Sequence, residues 1–376
     1  MRFWSLDVLR GLCAGIVFLS HWHIWSNFAP QGAAESFIRG IGQNLYDFVT
    51  LMTWPTGGQH PAVIGFFVLS GFCIHYPFER RALTGGKNRS WRDYFWQRFR
   101  RIAPVYWTAS ALGLVLVAAE WWRPTGDPLL TLHAMASAPH LVVRFLGIAG
   151  AYPEEILAGN YILNTVSGEI LMYACYPLFH VFALRGRWGG LGATFLGLQL
   201  AAIAALGMLS PYWVFSSVFM LGIFWYAGAL AAHLFLAGRG PRSGRWLIAA
   251  WALFLALKAT PHFAGLNLLK QAAWGLVCFL GILWLVRWEL SHPAVGGQRT
   301  IVSLCRLGDV SYSLYAMHTP AMMLASWALL QIGRPSYPIQ LAATLIASLV
   351  ATWLVHVGIE RRFYAPKSQA ATTSAS

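Results

Sequence analysis

The stretch LDVLRGLCAGIVFLSHW, residues 6–22, is an apolar run with an acid and an arginine near its start and a histidine near its end. An α-helix turns about 100° and rises about 1.5 Å per residue. Arg10 and His21 therefore share one face of a predicted helix, about 16 Å apart, and Asp7 lies close enough to Arg10 to pair with it. His23 falls about 200° away from His21 on the same geometry and points elsewhere.

Two interpretations of these polar side chains stay open at this point. Ionisable groups in an apolar helix usually face a protein interior or a wet cavity, which favours a functional pair. Alternatively, Arg10 lies among lipid headgroups and His21 lies at the interface. The run carries two charges and lacks a clear small-residue cleavage site, so we expect a retained transmembrane helix rather than a cleaved signal.

The composition predicts a polytopic membrane protein. The 376 residues are 57% hydrophobic and only 11% charged, and apolar runs of about 18 or more residues recur from end to end. We predict an all-α membrane helical bundle. The net charge of +14 comes from short loops, and no basic soluble module is present to bind nucleic acid. Five scattered cysteines predict neither a disulfide framework nor a metal site.

Ten transmembrane spans are predicted, at about 5–25, 61–78, 102–120, 162–184, 189–208, 212–237, 246–259, 267–287, 307–331 and 338–359. Of the 27 lysines and arginines, twenty fall on the side that carries both termini and six on the other, while Arg10 lies inside the first span. Loops retained in the cytoplasm are rich in these residues, so both termini are predicted to be cytoplasmic. Residues 1–362 are predicted to form the membrane domain and residues 363–376 a polar, disordered tail.

Two long connections, 26–60 and 121–161, are predicted on the outer side, and connections of this length are often functional. The second contains the apolar segment LVVRFLGIAGAY, residues 141–152, for which we consider an interfacial or a re-entrant position. In the second span, IGFFVLSGFCIHYPFERR, Ser70 lies among small residues. We favour close helix packing there over catalysis, because the setting of a nucleophile elbow is missing.

The segment WRDYFWQRFRRIAPVYW, residues 91–107, places four arginines among aromatic residues just before the third span. One interpretation is a cytoplasmic membrane anchor. The other is an anion site, since guanidinium groups bind phosphate in a bidentate manner and aromatic rings stack on a base. Arg98 and Arg101, three residues apart, face one way.

Three further acids and a histidine complete the candidate residues. Glu169 is a lone acid in an apolar span, for which we expect a partner such as Arg10 or His21. Asp309 and His318 bracket the helix start LGDVSYSLYAMH. Glu360 ends the last span, and we favour its pairing with one of the two arginines that follow it.

The order of these motifs resembles the acyltransferase-3 family of multi-span membrane acyltransferases, which acylate sugars of bacterial surface glycans and some small molecules. The matching features are R-x10-H, FFVLSGF, RFRRIAPVYW, S-x-E before YPL, LGxxSYSLYxxH and a terminal IER, between Leu6 and Phe363. The resemblance implies an O-acyltransferase of the bacterial inner membrane, foremost an O-acetyltransferase. Its donor would be acyl-CoA, used as a substrate rather than as a bound cofactor, and its acceptor a surface or lipid-linked glycan.

The resemblance and the residue patterns together assign the candidate roles. The assigned residues are His21, Arg10 and Glu169 for catalysis, Arg98, Arg101 and Arg100 for acyl-CoA, and Asp7, Ser167 and His318 for substrate binding. Two departures from the family pattern matter. Ile170 stands where a second acid often follows, and Arg362 stands where a proline often ends the chain motif.

The predicted mechanism uses His21 as the base that removes the acceptor's hydroxyl proton. CoA would dock at the inner arginines, with its pantetheine arm extended up the bundle toward His21. Two rival functions remain open: acylation of a small molecule or lipid head group, and a non-enzymatic glycan transporter or flippase. Transporters often show an internal repeat, and the sequence shows none. The oligomeric state is not predicted.

Overall fold

The computed structural model describes residues 2–25, 60–86, 90–152, 156–206, 218–260, 264–333 and 336–363, with a few single residues between 36 and 47. Most of the first predicted outer connection, the side chain of His23 and the predicted tail after Phe363 lie outside the described residues.

The described residues form helices and no strand, so the predicted all-α class is confirmed. The helices are α1 (Trp4–Trp25), α2 (Pro61–Leu83), α3 (Trp91–Trp122), α4 (Pro128–His133), α5 (Ala138–Phe145), α6 (Leu163–Leu184), α7 (Trp188–Leu206), α8 (Val218–Leu236), α9 (Arg245–Lys258), α10 (Ala264–Ser291), α11 (Arg299–Gln331) and α12 (Tyr337–Val355). A π-helical turn, His356–Glu360, and a last helical turn, Arg361–Phe363, follow α12. Each of the ten predicted spans coincides with one of the longer helices.

Six of the described helical segments are long and apolar enough to cross a membrane: Pro61–Leu83, Trp91–Trp122, Leu163–Leu184, Val218–Leu236, Leu266–Ser291 and Tyr337–Phe363. The predicted seventh span is α9, which has only 14 residues. Ten crossings and cytoplasmic termini therefore stay predictions.

Glycines allow two pairs of helices to touch backbone to backbone. A Cβ on Gly308 of α11 would lie 2.1 Å from the carbonyl oxygen of Asp7 in α1. Between α2 and α8, a Cβ on Gly71 would lie 1.9 Å from the carbonyl oxygen of Trp225. Small residues at helix contacts permit such close approach in membranes. The packing interpretation of the small residues around Ser70 is thus confirmed for Gly71.

In the second predicted outer connection, the apolar segment 141–152 begins in α5 and carries a buried arginine. Arg144 is only 2% exposed. Its guanidinium donates hydrogen bonds to the carbonyl oxygens of Asn160 and Ile156. Buried charged groups need such partners, so Arg144 holds the chain before α6 against α5.

The predicted partners of Glu360 are wrong. Its carboxylate does not pair with the arginines that follow it but is buried in the π-helical turn, where it accepts hydrogen bonds from Ser313 Oγ at 2.5 Å and His356 Nδ1 at 2.8 Å. A π-helical turn adds a residue to the helical repeat and so rotates side chains relative to an α-helix. Glu360 therefore faces α11 instead of the helix end.

Candidate active site

A cavity lies among α1, α2, α3, α6 and α11, and its empty space, including the open solvent at its mouth, is about 780 Å³. Arg10, Arg98 and Arg101 line it, and the aromatic rings of Phe66 and Tyr315 line it as well. In the predicted topology, α1, α3 and α11 run from the inner to the outer face, and α2 and α6 run back. The three arginines therefore mark the inner end of the cavity, and the two rings mark its outer end. The structure thus brings together two predicted acyl-CoA residues, Arg98 and Arg101, and two predicted catalytic residues, Arg10 and Glu169.

Arg98 is held in the cavity by aromatic rings. Its guanidinium carbon lies 5.8 Å from the ring centre of Tyr94 and 5.5 Å from that of Tyr173. Its buried Nε makes no hydrogen bond to the described residues. Stacking on rings leaves the in-plane N–H groups of a guanidinium directed outward, where they can bind an anion.

Arg10 is oriented by the acid one turn before it. Its Nη1 donates to Asp7 Oδ1 at 3.0 Å, and its Nη2 donates to Cys73 Sγ at 3.6 Å. The other oxygen of Asp7 accepts from Arg2 Nε at 2.5 Å, and Arg2 also binds Asp309. Asp7 is 6% exposed, so its geometry suits the positioning of Arg10 better than direct contact with a substrate.

The hydrogen bonds of Arg2 join the start of the chain to α11. Burial acts to lower the pKa of Arg2, but hydrogen bonds and charge attraction to Asp7 and Asp309 outweigh it, and the pKa is raised. Arg2 therefore stays charged and fixes Asp7 next to the cavity.

Glu169 lines the cavity and accepts a hydrogen bond from the hydroxyl of Tyr173. The same hydroxyl lies 3.1 Å from Ser70 Oγ. The structure therefore joins Glu169 to Tyr173, rather than to Arg10 or His21 as the sequence predicted. Ser70, expected only at a helix contact, belongs to the cavity wall through this chain of hydrogen bonds.

His21 and His318 form a hydrogen-bonded pair at the predicted outer end of the bundle. His21 Nδ1 lies 2.9 Å from His318 Nε2, and the rings are inclined by only 14°. His318 Nδ1 lies 2.8 Å from the carbonyl oxygen of Leu314. A carbonyl only accepts, so in the neutral pair His318 Nδ1 carries hydrogen, its Nε2 accepts from His21 Nδ1–H, and His21 Nε2 holds the basic lone pair.

Ser20 and His60 lie next to this pair but do not form a nucleophilic dyad. The amide of Ala62 donates to His60 Nδ1 at 3.1 Å, so His60 Nε2 carries the hydrogen of the neutral ring. This nitrogen lies 2.9 Å from Ser20 Oγ, and Ser20 Oγ donates to a backbone carbonyl. His60 therefore donates to Ser20 and cannot remove its proton in this arrangement.

Two rings separate the cavity from the histidine pair. Phe66 and Tyr315 meet edge to face, with ring centres 5.4 Å apart. The hydroxyl of Tyr315 lies 2.6 Å from Thr165 Oγ1, and the Tyr315 ring also contacts the His318 ring at 6.2 Å. The histidine pair thus lies one helical turn beyond the end of the cavity.

Two predicted site residues point away from the cavity. Arg100 is exposed on the other face of α3, as are the stacked rings of Trp96 and Phe99. Ser167 is fully buried, donates to the carbonyl of Asn164 and accepts from the amide of Gly150. Its contacts hold the second outer connection against α6.

Three residues near His21 were missed by the sequence analysis: His60, His133 and Tyr161. The Tyr161 ring lies 5.7 Å from that of His21 and 5.0 Å from that of His133. One signal was present in the sequence, because all three residues fall in the two predicted outer connections, His60 in 26–60 and the other two in 121–161. Periodicity cannot show that distant helix ends and a loop converge.

A helical membrane protein with an arginine-lined cavity beside a histidine pair has the features of an integral membrane enzyme. The model of the acyltransferase-3 family, described as an acyltransferase domain, matches residues 3–357, so this chain belongs to that family and the predicted resemblance is confirmed. It is a membrane acyltransferase.

One relative is the exopolysaccharide production protein ExoZ of Rhizobium meliloti (strain 1021), which is 28% identical over 286 residues. The match covers 76% of this chain and 83% of that protein. No solved structure gave a significant match to the chain.

Proposed function

We propose that this protein is an O-acyltransferase, foremost an O-acetyltransferase, that moves an acyl group from cytoplasmic acyl-CoA to a hydroxyl of an exopolysaccharide or its lipid-linked precursor. The observation that carries the proposal is the cavity with three arginines at one end and the His21–His318 pair one turn beyond the other end. The relative named for exopolysaccharide production supports the choice of acceptor.

Acyl-CoA suits the inner end of the cavity because its nucleotide carries several phosphate charges. Arg98 offers a stacked guanidinium, and Arg10 is oriented by Asp7 toward the same space. Guanidinium groups bind phosphate through paired hydrogen bonds. The predicted topology, with its bias of basic residues, places this end at the cytoplasmic face of a bacterial inner membrane, where acyl-CoA is available.

The proposed chemistry is a direct transfer. His21 Nε2 accepts the proton of the acceptor hydroxyl as its oxygen forms a bond to the thioester carbonyl carbon. The tetrahedral intermediate then collapses, the C–S bond breaks, and the CoA sulfur takes the proton back from His21. The products are the ester and free CoA thiol, so atoms and charge balance. His318 holds the tautomer of His21 that this step requires.

In the described arrangement, a thioester in the cavity would face the rings of Phe66 and Tyr315 rather than His21. These rings are held by one hydrogen bond to Thr165 and by edge-to-face contacts. Rotation of the two side chains joins the cavity to the histidine pair.

The purified protein, reconstituted with acetyl-CoA, tests the proposal. The acceptor is an oligosaccharide mixture from the producing cell's surface polysaccharide, deacylated with alkali to restore its hydroxyl groups. We expect release of CoA thiol that depends on the oligosaccharide, with new acetyl esters seen by mass spectrometry. His21→Ala should reduce the rate at least about hundredfold, the usual contribution of a general base.

Arg98→Ala and Arg100→Ala form a matched pair for the donor side, since both residues lie on α3 but only Arg98 lines the cavity. Arg98→Ala should raise KM for acetyl-CoA about tenfold, equivalent to one charged hydrogen bond, whereas Arg100→Ala should change it little. Transport of the sugar across vesicle membranes without consumption of the thioester would contradict the proposed acyltransferase function and support a flippase.

A further inference from the structure

Beyond the histidine pair, four rings form a continuous row that leads away from the cavity. We call His21, Tyr161, His133 and Trp25 the ring row. Ring centres of Tyr161 lie 5.7 Å from His21 and 5.0 Å from His133, and Trp25 lies 5.1 Å from His133. The first three are partly exposed. A ligand on this face therefore contacts His21 at one end.

His133 presents a hydrogen-bond acceptor in the row. Its Nδ1 lies 2.8 Å from the carbonyl oxygen of Leu129, so Nδ1 donates and Nε2 keeps the lone pair. Among the described residues, no hydrogen-bond partner of this Nε2 is found. Burial lowers the pKa of His133, although the bond to Leu129 acts in the opposite direction. The lowered pKa favours the neutral ring, and the Nε2 of a neutral ring can accept a hydrogen bond from a hydroxyl group.

The row is built on a rigid frame. The amide of Gly159 donates to the carbonyl of His133 itself at 2.7 Å, and the amide of Ala158 donates to the carbonyl of Met135 at 3.0 Å. A Cβ on Gly159, whose φ is +71°, would lie 2.0 Å from the carbonyl oxygen of Gly113 in α3. The backbone before Tyr161 is thus fixed to both α4 and α3.

Side chains reinforce this frame. Arg144 of α5 donates to the carbonyl oxygens of Ile156 and Asn160, and the side-chain amide Nδ2 of Asn160 donates to the carbonyl of Ala316 in α11 at 3.0 Å. Ala316 is two residues before His318. The support of Tyr161 is therefore tied to the helix that orients His21, and preorganised side chains of this kind suit a binding site.

The chemistry of the row favours a neutral ligand with hydroxyl groups. The row contains no carboxylate, lysine or arginine side chain, and no group of three or more His, Cys, Asp or Glu among the described residues is arranged to hold a metal ion. Aromatic faces with a few fixed polar atoms are typical of sites for organic ligands. An ionic ligand would leave its charge without a partner in the row.

We propose that His133 and Tyr161 form the acceptor subsite, in which a neutral sugar ring packs on Tyr161 and one of its hydroxyl groups donates a hydrogen bond to His133 Nε2. A neighbouring hydroxyl of the same sugar then faces His21. This subsite rests on the proposed acyl transfer. Its chemistry indicates that the acceptor is an uncharged sugar unit.

The test assays the full protein with acetyl-CoA and the deacylated oligosaccharide mixture. The variant at His133 keeps an aromatic ring but removes the ring nitrogens. His133→Phe should raise KM for the oligosaccharide about tenfold, since one hydrogen bond of about 1.4 kcal/mol is lost. KM for acetyl-CoA should stay unchanged. His133→Gln, whose side-chain oxygen can accept the same bond, should restore most of the affinity.

His140→Phe is the matched control, because His140 lies in the same outer connection but packs edge to face against Tyr152 instead of joining the ring row. It should change neither KM. Equal acceptor KM values for wild type and His133→Phe, or a parallel rise of the acetyl-CoA KM, would overturn the subsite while leaving acyl transfer intact. A wild-type protein that consumes no acetyl-CoA with any oligosaccharide would instead overturn the proposed function.

Discussion

At the scale of single residues, the site depends on which nitrogen of each histidine carries hydrogen. The carbonyl of Leu314 fixes the tautomer of His318, and Nε2 of His318 then fixes the tautomer of His21. The lone pair of His21 is therefore on Nε2. An orienting group behind a histidine base is a recurrent device, usually a carboxylate. Here a second, fully buried histidine fills that place. Unlike a carboxylate, it adds no permanent charge to an apolar region.

Replacement of His318 tests this dependence. His318→Phe keeps a ring of similar size but removes the acceptor for His21 Nδ1–H, so we expect kcat to fall about ten- to hundredfold, the kinetic equivalent of about 1.4–2.8 kcal/mol. KM for acetyl-CoA should stay the same. His318→Gln offers an oxygen acceptor and should recover part of kcat. Equal kcat values for the Phe and Gln variants would show that His318 only fills space.

Some roles at this scale were predictable, and others were not. The shared face of Arg10 and Asp7 follows from helix geometry and is confirmed by their ion pair. The partner of Glu169 was not predictable, because the acid was isolated in sequence and its nearest hydroxyl, on Tyr173, lies one turn along the same apolar helix. A hydroxyl in an apolar span gives no charge signal, so the expected partner was a distant cation.

At the scale of elements, the contact of α1 with α11 determines where Arg10 and His21 lie. Gly11 and Gly308 permit the two backbones to touch, since a Cβ on Gly11 would lie 2.8 Å from the amide nitrogen of Gly308. This contact brings His318 against His21 farther along both helices. A wider spacing of the helices would break the hydrogen bond between the rings.

Gly11→Ala and Gly15→Ala test two positions on the same helix, one where a neighbouring helix occupies the space of a Cβ and one where this space is empty. A Cβ on Gly15 meets nothing within 4 Å. We expect Gly11→Ala to destabilise the protein by about 1–3 kcal/mol, the usual cost of overpacking, whereas Gly15→Ala should be neutral or slightly stabilising because alanine favours helix. Thermal unfolding of the purified variants measures both. Equal unfolding temperatures would contradict the proposed backbone contact.

The helix end at Glu360 shows what sequence patterns miss at this scale. An acid followed by two arginines at the end of a span predicts local pairing. The π-helical turn instead directs the carboxylate to Ser313, 47 residues earlier in the chain. Periodicity arguments assume a constant 3.6 residues per turn, and a single π-helical turn breaks that assumption.

At the scale of the whole molecule, the predicted topology gives the proposed site a direction, with the proposed acyl donor at one membrane face and the proposed acceptor toward the other. The six helical segments apolar enough to span leave α1 and α11 among the remainder. These two helices carry Arg10, His21 and His318, and such polar residues lower their mean hydropathy. Polar side chains are costly in a membrane helix, and for that reason they usually indicate a functional site.

The orientation is tested with cysteines introduced into a variant lacking the native ones. Ser137 and Ser243 are both exposed, but they lie in connections predicted on opposite sides. We expect Ser137→Cys to react with a membrane-impermeant maleimide in cells whose outer membrane has been removed. Ser243→Cys should react only after the inner membrane is opened. The reverse pattern would invert the topology and place acyl-CoA at the wrong end of the cavity.

The sequence by itself determined the helical class, the positions of ten helices, the shared face of Arg10 and His21, and the family, because each depends on local periodicity or on residue order. Only the tertiary structure shows that His318 contacts His21, that Arg100 and Ser167 do not line the cavity, and that the rings of Tyr161 and His133 follow that of His21. These facts depend on helix ends and loops that meet across up to about 300 residues, and no local pattern encodes such distances. The stretch 6–22 carries His21, the proposed base, and that proposed role depends on the partners that folding brings to it.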